Sequence, residues 1–572
     1  MLRTKVPGAV IALSAVLGSV ALLAGFLWTG LAVWVLGYGL LLVRQIREIR
    51  YRRWRNHAVT QVATRISFTF GIAGPLIYGD ANGALFAWLA LSVTVFLIRF
   101  SRGILEISRS LPFDVINLPG ADLPQPHPRT LTALMLTLLA LPALLMAFAV
   151  AQLHGVALAV CAAAVAIIAL VALIQALRRR RAGDRLFAEL QSRLESYDPT
   201  FILYWVAPVN SAYQIKMWLP FLERLGERFI VVVRNAGSLP EAIAAVPNHP
   251  IVFARTLSSI DNILPATVST VFYVNNADRN AHMVRYNHLT HIQLLHGDSE
   301  KASSYNPVTA MYDRIYVAGQ AGIDRYADNN VRIPEDKFAI VGRPQVEDVI
   351  RDDSPIGEKD RPTVLYAPTW RGYFNDSTYS SLLMIEPLLD RLIERGSRIV
   401  FRPHPYSRQD GALSAAIDRI HDRLRADNES SDTGHLFGFA AETEMTVNDC
   451  FNISDAMLAD VSSVVSDYLY SGKPLGLMTG ASSPEELIRE LPLARSAYIF
   501  PGTDETVWDE QLAAMLGNDP LADMRREMRR HYLGDLPADG YADVFVRTAK
   551  EDLARAEERH RAQGFTFAAG QD

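Results

Sequence analysis

Four short clusters combine histidine, arginine, serine and carboxylate with glycine or proline, a mixture suited to holding phosphates and moving a proton. The first is His291-Ile-Gln-Leu-Leu-His-Gly297, followed by Asp298 and Ser299. A neutral imidazole near pH 7 accepts the proton of an attacking hydroxyl, a contribution of about 10²–10⁴-fold in rate. Gly297 beside it lets a substrate approach the backbone closely. A histidine that only caps a strand end reads the same way in isolation. His282, His288 and His291 show no metal-ligand spacing and are read as structural.

The second cluster is Ala367-Pro-Thr-Trp-Arg-Gly372, where Thr369, Trp370 and Arg371 could present a hydroxyl, a flat ring and a guanidinium to a nucleotide diphosphate. A rigid turn with an exposed arginine is the alternative. The third is Arg402-Pro-His-Pro405. Two prolines restrict the backbone around His404, and a preorganised donor there suits charge developing on phosphoryl oxygens. The fourth is Asp460-Val-Ser-Ser463, leading into a helical pattern that ends near Gly472. Serines at a helix start offer hydroxyls and free backbone N–H groups to an anion, although Ser462 or Ser463 could equally serve as a plain N-cap. No G-x-x-x-x-G-K-[ST] loop is present, which argues against a P-loop nucleotidase.

All four clusters follow short apolar runs, as site residues at strand ends should. Candidate strands are Phe201–Val206, Phe229–Val233, Ile251–Phe253, Val271–Val274, His291–Leu295, Arg314–Val317 and Phe338–Val341. After a polar linker from Asp352 to Pro362 come Thr363–Tyr366, Arg398–Phe401, Met445–Val447, Ala456–Asp460, Pro474–Met478 and Ala497–Phe500. Helical segments alternate with them, the pattern of doubly wound α/β domains. Two such halves in tandem place a ligand cleft at the carboxyl ends of their strands. Arg425–Glu442 reads as a loop, and the last forty residues as a charged helix returning to the first half.

The first third is different. Apolar stretches run from Pro7 to Val43, Phe68 to Ile98 and Leu131 to Leu177. A crossing needs about 20 apolar residues, so the first and third are long enough for two each, with breaks near Trp28–Gly30 and Gln152–Gly155. Gly71, Gly74, Pro75, Asp80 and Asn82 interrupt the middle one, which reads as a hairpin of crossings or a re-entrant segment. Arginines at 44, 47, 50, 52, 53 and 55, at 99, 102 and 109, and at 178–181 follow the three stretches. Basic short loops stay cytoplasmic. The expectation is therefore about six crossings, with both ends and the C-terminal part in the cytoplasm. The first run is too long for the h-region of a cleaved signal.

The chain has 572 residues, is 50% hydrophobic and carries a net charge of -5, which gives no global sign of a nucleic-acid binder. Its two cysteines, Cys161 and Cys450, are far apart and define no disulfide framework.

In this order, His296-Gly297, Ala367 to Arg371, Arg402 to Pro405 and Asp460 to Ser463, with Asp467 beyond, resemble the CDP-glycerol glycerophosphotransferase family of teichoic acid synthesis. The resemblance covers roughly Phe201 to Met478. It implies a GT-B-like pair of Rossmann-like domains behind the α-helical membrane domain, with no cofactor and no metal. It implies His296 as general base and His404, with Arg402, on the donor pyrophosphate. Ser462, Ser463, Asp460, Thr369 and Arg371 would complete the donor site, with Gly297, Asp298 and Arg343 as further candidates. The donor would be CDP-glycerol or a similar CDP-polyol and the acceptor lipid-linked or polymeric, with attack at the β-phosphorus expelling CMP. Three positions depart from the family pattern: Asp298 follows His-Gly where threonine is usual, the arginine of Gly-x-Pro-Arg stands at Arg343, and Val461 replaces tyrosine. The expected domains are 1–177 in the membrane, a connector at 178–197, an acceptor-side domain at 198–351, a donor-side domain at 362–535 and a helical tail at 536–572. Alternatives are a nucleotide-sugar glycosyltransferase on the same fold and a non-catalytic regulatory membrane protein.

Overall fold

The computed structural model describes residues 8–50, 113–119, 183–261, 263–297, 300, 302–371, 380–480 and 483–564, with isolated positions between 147 and 178. The chain divides into two compact units, Met1–Leu194 with Val252–Ile263, and Glu195–Ile251 with Leu264–Asp572. Its strands, in chain order, are β1 Phe113–Ile116, β2 Phe201–Trp205, β3 Phe229–Val233, β4 Ile251–Ala254, β5 Thr270–Tyr273, β6 Thr290–Gln293, β7 Arg314–Val317 and β8 Phe338–Ile340. Then come β9 Thr363–Ala367, β10 Arg398–Phe401, β11 Ala456–Ala459, β12 Leu475–Met478 and β13 Tyr498–Phe500.

In the first unit, helices Gly8–Leu23 and Leu27–Arg50 form a hairpin. Gly18 and Gly30 let their backbones touch: a Cβ on Gly18 would lie 2.9 Å from the Trp34 nitrogen, and one on Gly30 2.8 Å from the Leu22 nitrogen. The turn falls a few residues before the break expected at Trp28–Gly30. Among the described residues no helix is long and apolar enough to cross a membrane. The stretch 68–98 and nearly all of 131–177 lie outside the described residues. Strand β1 lies between the second and third apolar stretches. Phe113 is buried there, with its ring 4.4 Å from that of Phe187.

The second unit holds two parallel sheets. In its first half six strands run in the order β3-β2-β5-β6-β7-β8, and in its second half five run β10-β9-β11-β12-β13. Strands buried on both faces read as unbroken apolar runs, as Phe-Ile-Val-Val-Val of β3 shows. Because these neighbouring strands all pair in parallel, the loops that leave the carboxyl ends of one sheet emerge on one edge. The result is a GT-B-like pair of Rossmann-like halves.

Two sequence expectations fail here. Met445–Val447 is no strand: Thr446 N-caps helix Val447–Ile453 in a capping box with Asp449, so local capping overrides the β-prone side chains. The segment from Arg425 begins as helix, since Gly411–Ser430 continues through it. Helix Asp543–Ala562 packs on the first half. The Phe545 ring lies 5.1 Å from that of Trp218, and Asp552 accepts from the Tyr316 hydroxyl at 2.7 Å and from Arg314 Nε at 3.2 Å.

Phe545 is fully buried between Trp218, Phe221 and Tyr316. Phe545→Ala leaves a cavity beneath Trp218, with an expected loss of about 3–5 kcal/mol. Thermal unfolding of the full chain in detergent measures it; an unchanged midpoint would show that the tail contributes nothing to this half.

Candidate active site

The first cluster begins where β5 and β6 end. His296 Nδ1 lies 2.8 Å from the Val274 carbonyl oxygen. A carbonyl only accepts, so Nδ1 carries the proton and Nε2 keeps its lone pair. Burial, followed by the nearby Arg343 guanidinium, holds the imidazole below its ordinary value, while the Val274 bond acts in the opposite sense. His296 is therefore neutral at pH 7, with Nε2 able to take a proton. The Tyr213 ring stands edge-on at 5.9 Å.

The loop that carries His296 is strained. Leu295 has φ +56, a left-handed conformation that costs a branched residue about 1–3 kcal/mol. Two side chains hold it there. The Leu295 N–H donates to Gln293 Oε1 at 2.9 Å, and its carbonyl accepts from Trp218 Nε1 at 2.6 Å. Gln293 is anchored in turn, because its Nε2 donates to the Asn275 carbonyl at 2.9 Å and to Asn276 Oδ1 at 2.8 Å. Sequence reasoning missed Gln293 and Trp218. The available signal was an amide side chain within the otherwise apolar run from Ile292 to Leu295.

In the second half, β9, β10 and β11 are adjacent and in register at their ends, Tyr366 opposite Phe401 and Ala367 opposite Ala459. Thr369–Arg371, Arg402–His404 and Asp460–Ser463 therefore leave the sheet together. The N–H of Tyr406 donates to His404 Nδ1 at 3.1 Å. An accepting Nδ1 carries no proton in the neutral ring, so the proton sits on Nε2. His404 is stacked 6.0 Å from Trp370, with Tyr406 edge-on at 5.2 Å. The two histidines thus hold opposite tautomers. One offers a lone pair at Nε2 and the other an N–H.

Ser462 is the N-cap of helix Ser463–Tyr468, yet its side chain makes no capping bond, so the plain N-cap reading does not describe it. The two halves meet here. A Cβ built on Gly297 would lie 3.8 Å from Ser463 Cβ, and the Tyr406 hydroxyl donates to the Asn210 carbonyl at 2.9 Å.

Other candidate residues are placed differently from expectation. Asp460 is fully buried and accepts the N–H groups of Thr369 at 2.8 Å and Ser381 at 3.1 Å. It presents no surface to a donor and instead ties two loops together, which corrects its assignment as a donor contact. Burial raises its carboxyl to about 7, against the effect of those hydrogen bonds. Arg402 Nη1 donates to the carbonyls of Ala441 and, at 2.8 Å, Met445, bracing that segment. Thr369 is 5% exposed, and Arg371 pairs with Asp410 at 3.3 Å. Arg343 is buried and paired with Asp467. Asp298 lies outside the described residues. Among the described residues no cluster of His, Cys, Asp and Glu could hold a metal ion.

Residues 256–479 match the family model described as CDP-Glycerol:Poly(glycerophosphate) glycerophosphotransferase. The matched span contains all four clusters. No curated protein matches the chain significantly. Among solved structures, the wall teichoic acid polymerase TagF is similar at 14% identity, covering 68% of this chain and 98% of that chain with a TM-score of 0.38. MnaA of S. aureus with UDP aligns at 14% identity over 62% and 97% of the two chains, TM-score 0.40. A glycosyltransferase from Rickettsia africae aligns at 14% over 63% and 98%, TM-score 0.39.

The tautomers are directly observable. Nitrogen-15 spectra of the histidine-labelled chain at neutral pH should show a protonated Nδ1 for His296 and a protonated Nε2 for His404, each assigned by His→Gln substitution. Burial and Arg343 disfavour the imidazolium of His296, so its titration should fall below the ordinary 6.5. A His296 that titrates at or above 6.5 would contradict the geometry.

Proposed function

We propose that this protein is a transferase of the kind its family match describes, moving a glycerol-phosphate, or a related polyol-phosphate, from CDP-glycerol to a hydroxyl of a polymeric or lipid-linked acceptor. The observation that supports this most is the pairing of opposite tautomers at the carboxyl edges of the two halves.

The acceptor hydroxyl gives its proton to His296 Nε2 as its oxygen forms a bond to the β-phosphorus. The bond from that phosphorus to the bridging oxygen breaks, and CMP departs with the electron pair. Phosphoryl transfer relies chiefly on positioning and charge stabilisation. The Nε2–H of His404 would donate to the oxygens that gain charge. The Ser462 and Ser463 hydroxyls and the N–H groups at their helix start would hold the pyrophosphate. None of these steps needs a cofactor.

The same reading keeps the N-terminal third in the cell membrane, with the transferase part cytoplasmic. It rests on the three apolar stretches and the arginines that follow each of them. Carbonate-resistant sedimentation with cell membranes is the expected outcome; release by carbonate would remove the integral anchor.

CMP release from CDP-glycerol by purified membranes tests the reaction. His296→Ala and His404→Ala should each lower the rate by about 10²–10⁴-fold while the thermal midpoint stays near that of wild type. No release from CDP-glycerol or CDP-ribitol, with native lipid extract supplied as acceptor, would sink the polyol-phosphate assignment.

A further inference from the structure

The loop after β8 carries Arg343, whose side chain reaches across to the other half of the unit. Its Nε donates to Asp467 Oδ1 at 2.9 Å and its Nη2 to Asp467 Oδ2 at 3.3 Å, a two-pronged ion pair. Arg343 is 7% exposed, so water screens the pair little. Asp467 lies on helix Ser463–Tyr468, the helix that begins with Ser463, which faces Gly297. The backbone around Arg343 is fixed as well. Its N–H donates to the Tyr541 hydroxyl at 2.9 Å, and that hydroxyl donates to the Leu533 carbonyl at 2.7 Å. Gly342, at φ +74, packs so closely on Tyr541 and Leu536 that any Cβ there would lie 2.9 Å from both.

Arg343 also lines one cavity with Leu295 and Gly297, the two neighbours of His296 in the chain, and with Trp218. The imidazole is bonded to the Val274 carbonyl and lies against the Tyr213 ring, and the Arg343 charge disfavours its protonated form. One side chain therefore belongs both to the serine helix of the donor side and to the electrostatics of the base on the acceptor side.

We propose that Arg343 and Asp467 are positioning residues forming a clasp between the two halves, which sets the serine helix against the His296 loop and tunes the base electrostatically. The paired carboxylate offsets part of the arginine's charge at His296, so the two partners act on the base with opposite sign. A fork of two N–H groups gives the clasp its geometry, which an ammonium group does not reproduce. The proposal rests on the transferase reading above for its kinetic consequences, and on geometry alone for its effect on His296.

The test uses the full chain in detergent, with two readouts: nitrogen-15 titration of His296, which needs no turnover, and the pH profile of kcat/KM for CMP release. Arg343→Gln leaves the Asp467 carboxylate alone, so the His296 titration should rise by roughly half to one pH unit. Asp467→Asn leaves the guanidinium uncompensated, so the titration should fall by a similar amount. The double variant should return towards wild type, and Arg343→Lys should keep the wild-type titration while kcat drops about tenfold or more through lost geometry. If a single variant fails to fold, the double neutral variant and Arg343→Lys carry the comparison. A His296 titration unmoved in both single variants, or moved in the same direction, overturns the proposal. Opposite shifts in a chain that releases no CMP would leave the clasp standing and remove the substrate assignment instead.

Discussion

The hydrogen bond from His296 Nδ1 to the Val274 carbonyl decides which nitrogen of the imidazole keeps a free lone pair. It exists because β5 and β6 are neighbouring parallel strands, Tyr273 opposite Gln293, so the residues that follow them emerge side by side. In an antiparallel pair those ends would lie at opposite edges of the sheet. The same logic gathers three donor-side loops from β9, β10 and β11. Chemistry at the cleft is thus a consequence of strand direction, and each half supplies one histidine whose tautomer is set by a backbone group.

Holding that arrangement needs strain and buried polar atoms in a region that would be more stable without them. Leu295 is kept left-handed by a glutamine, an indole and two asparagines, all anchored to backbone carbonyls or to each other. Such networks are costly when half satisfied, which is why Gln293 sits fully buried with both ends of its amide bonded. The helix Asp543–Ala562 closes the chain of support. Phe545 packs on Trp218, and Trp218 holds Leu295, so the end of the chain reaches the base through two contacts.

Much of the α/β part was legible in the sequence because buried parallel strands show as apolar runs. Phe229–Val233, Arg314–Val317 and Arg398–Phe401 could be read to the residue. Reading failed where local chemistry outweighed composition. Met445–Val447 looks like a strand until the Thr446–Asp449 reciprocal cap is counted, and the polar face of helix Gly411–Ser430 resembles a loop. Strand β1 is four residues long inside an apolar third, too short to stand out. At the site, residue types pointed to His296 and His404, but their tautomers depend on Val274 and Tyr406, which only the fold brings near. Asp460 misled for the opposite reason. A carboxylate before two serines looks exposed, whereas two backbone N–H groups draw it inward.

That inward carboxylate gives the donor side a pH dependence of its own sign. Burial raises Asp460 to about 7, above its ordinary 3.8, so the folded chain holds this proton more tightly than the unfolded chain. Its contribution to stability is full below about 4 and is lost as pH rises through about 7. His296 has the reverse requirement, because it acts only when neutral, and its lowered titration extends that form towards acid. At Asp460 the Thr369 and Ser381 N–H groups favour the charged carboxylate and burial the neutral acid, and burial prevails; at His296 burial favours the free lone pair. Burial accounts for both, since it penalises the charged form of a carboxyl and of an imidazole alike. The seclusion that builds the cleft from strand ends therefore also sets the protonation states in which it can work.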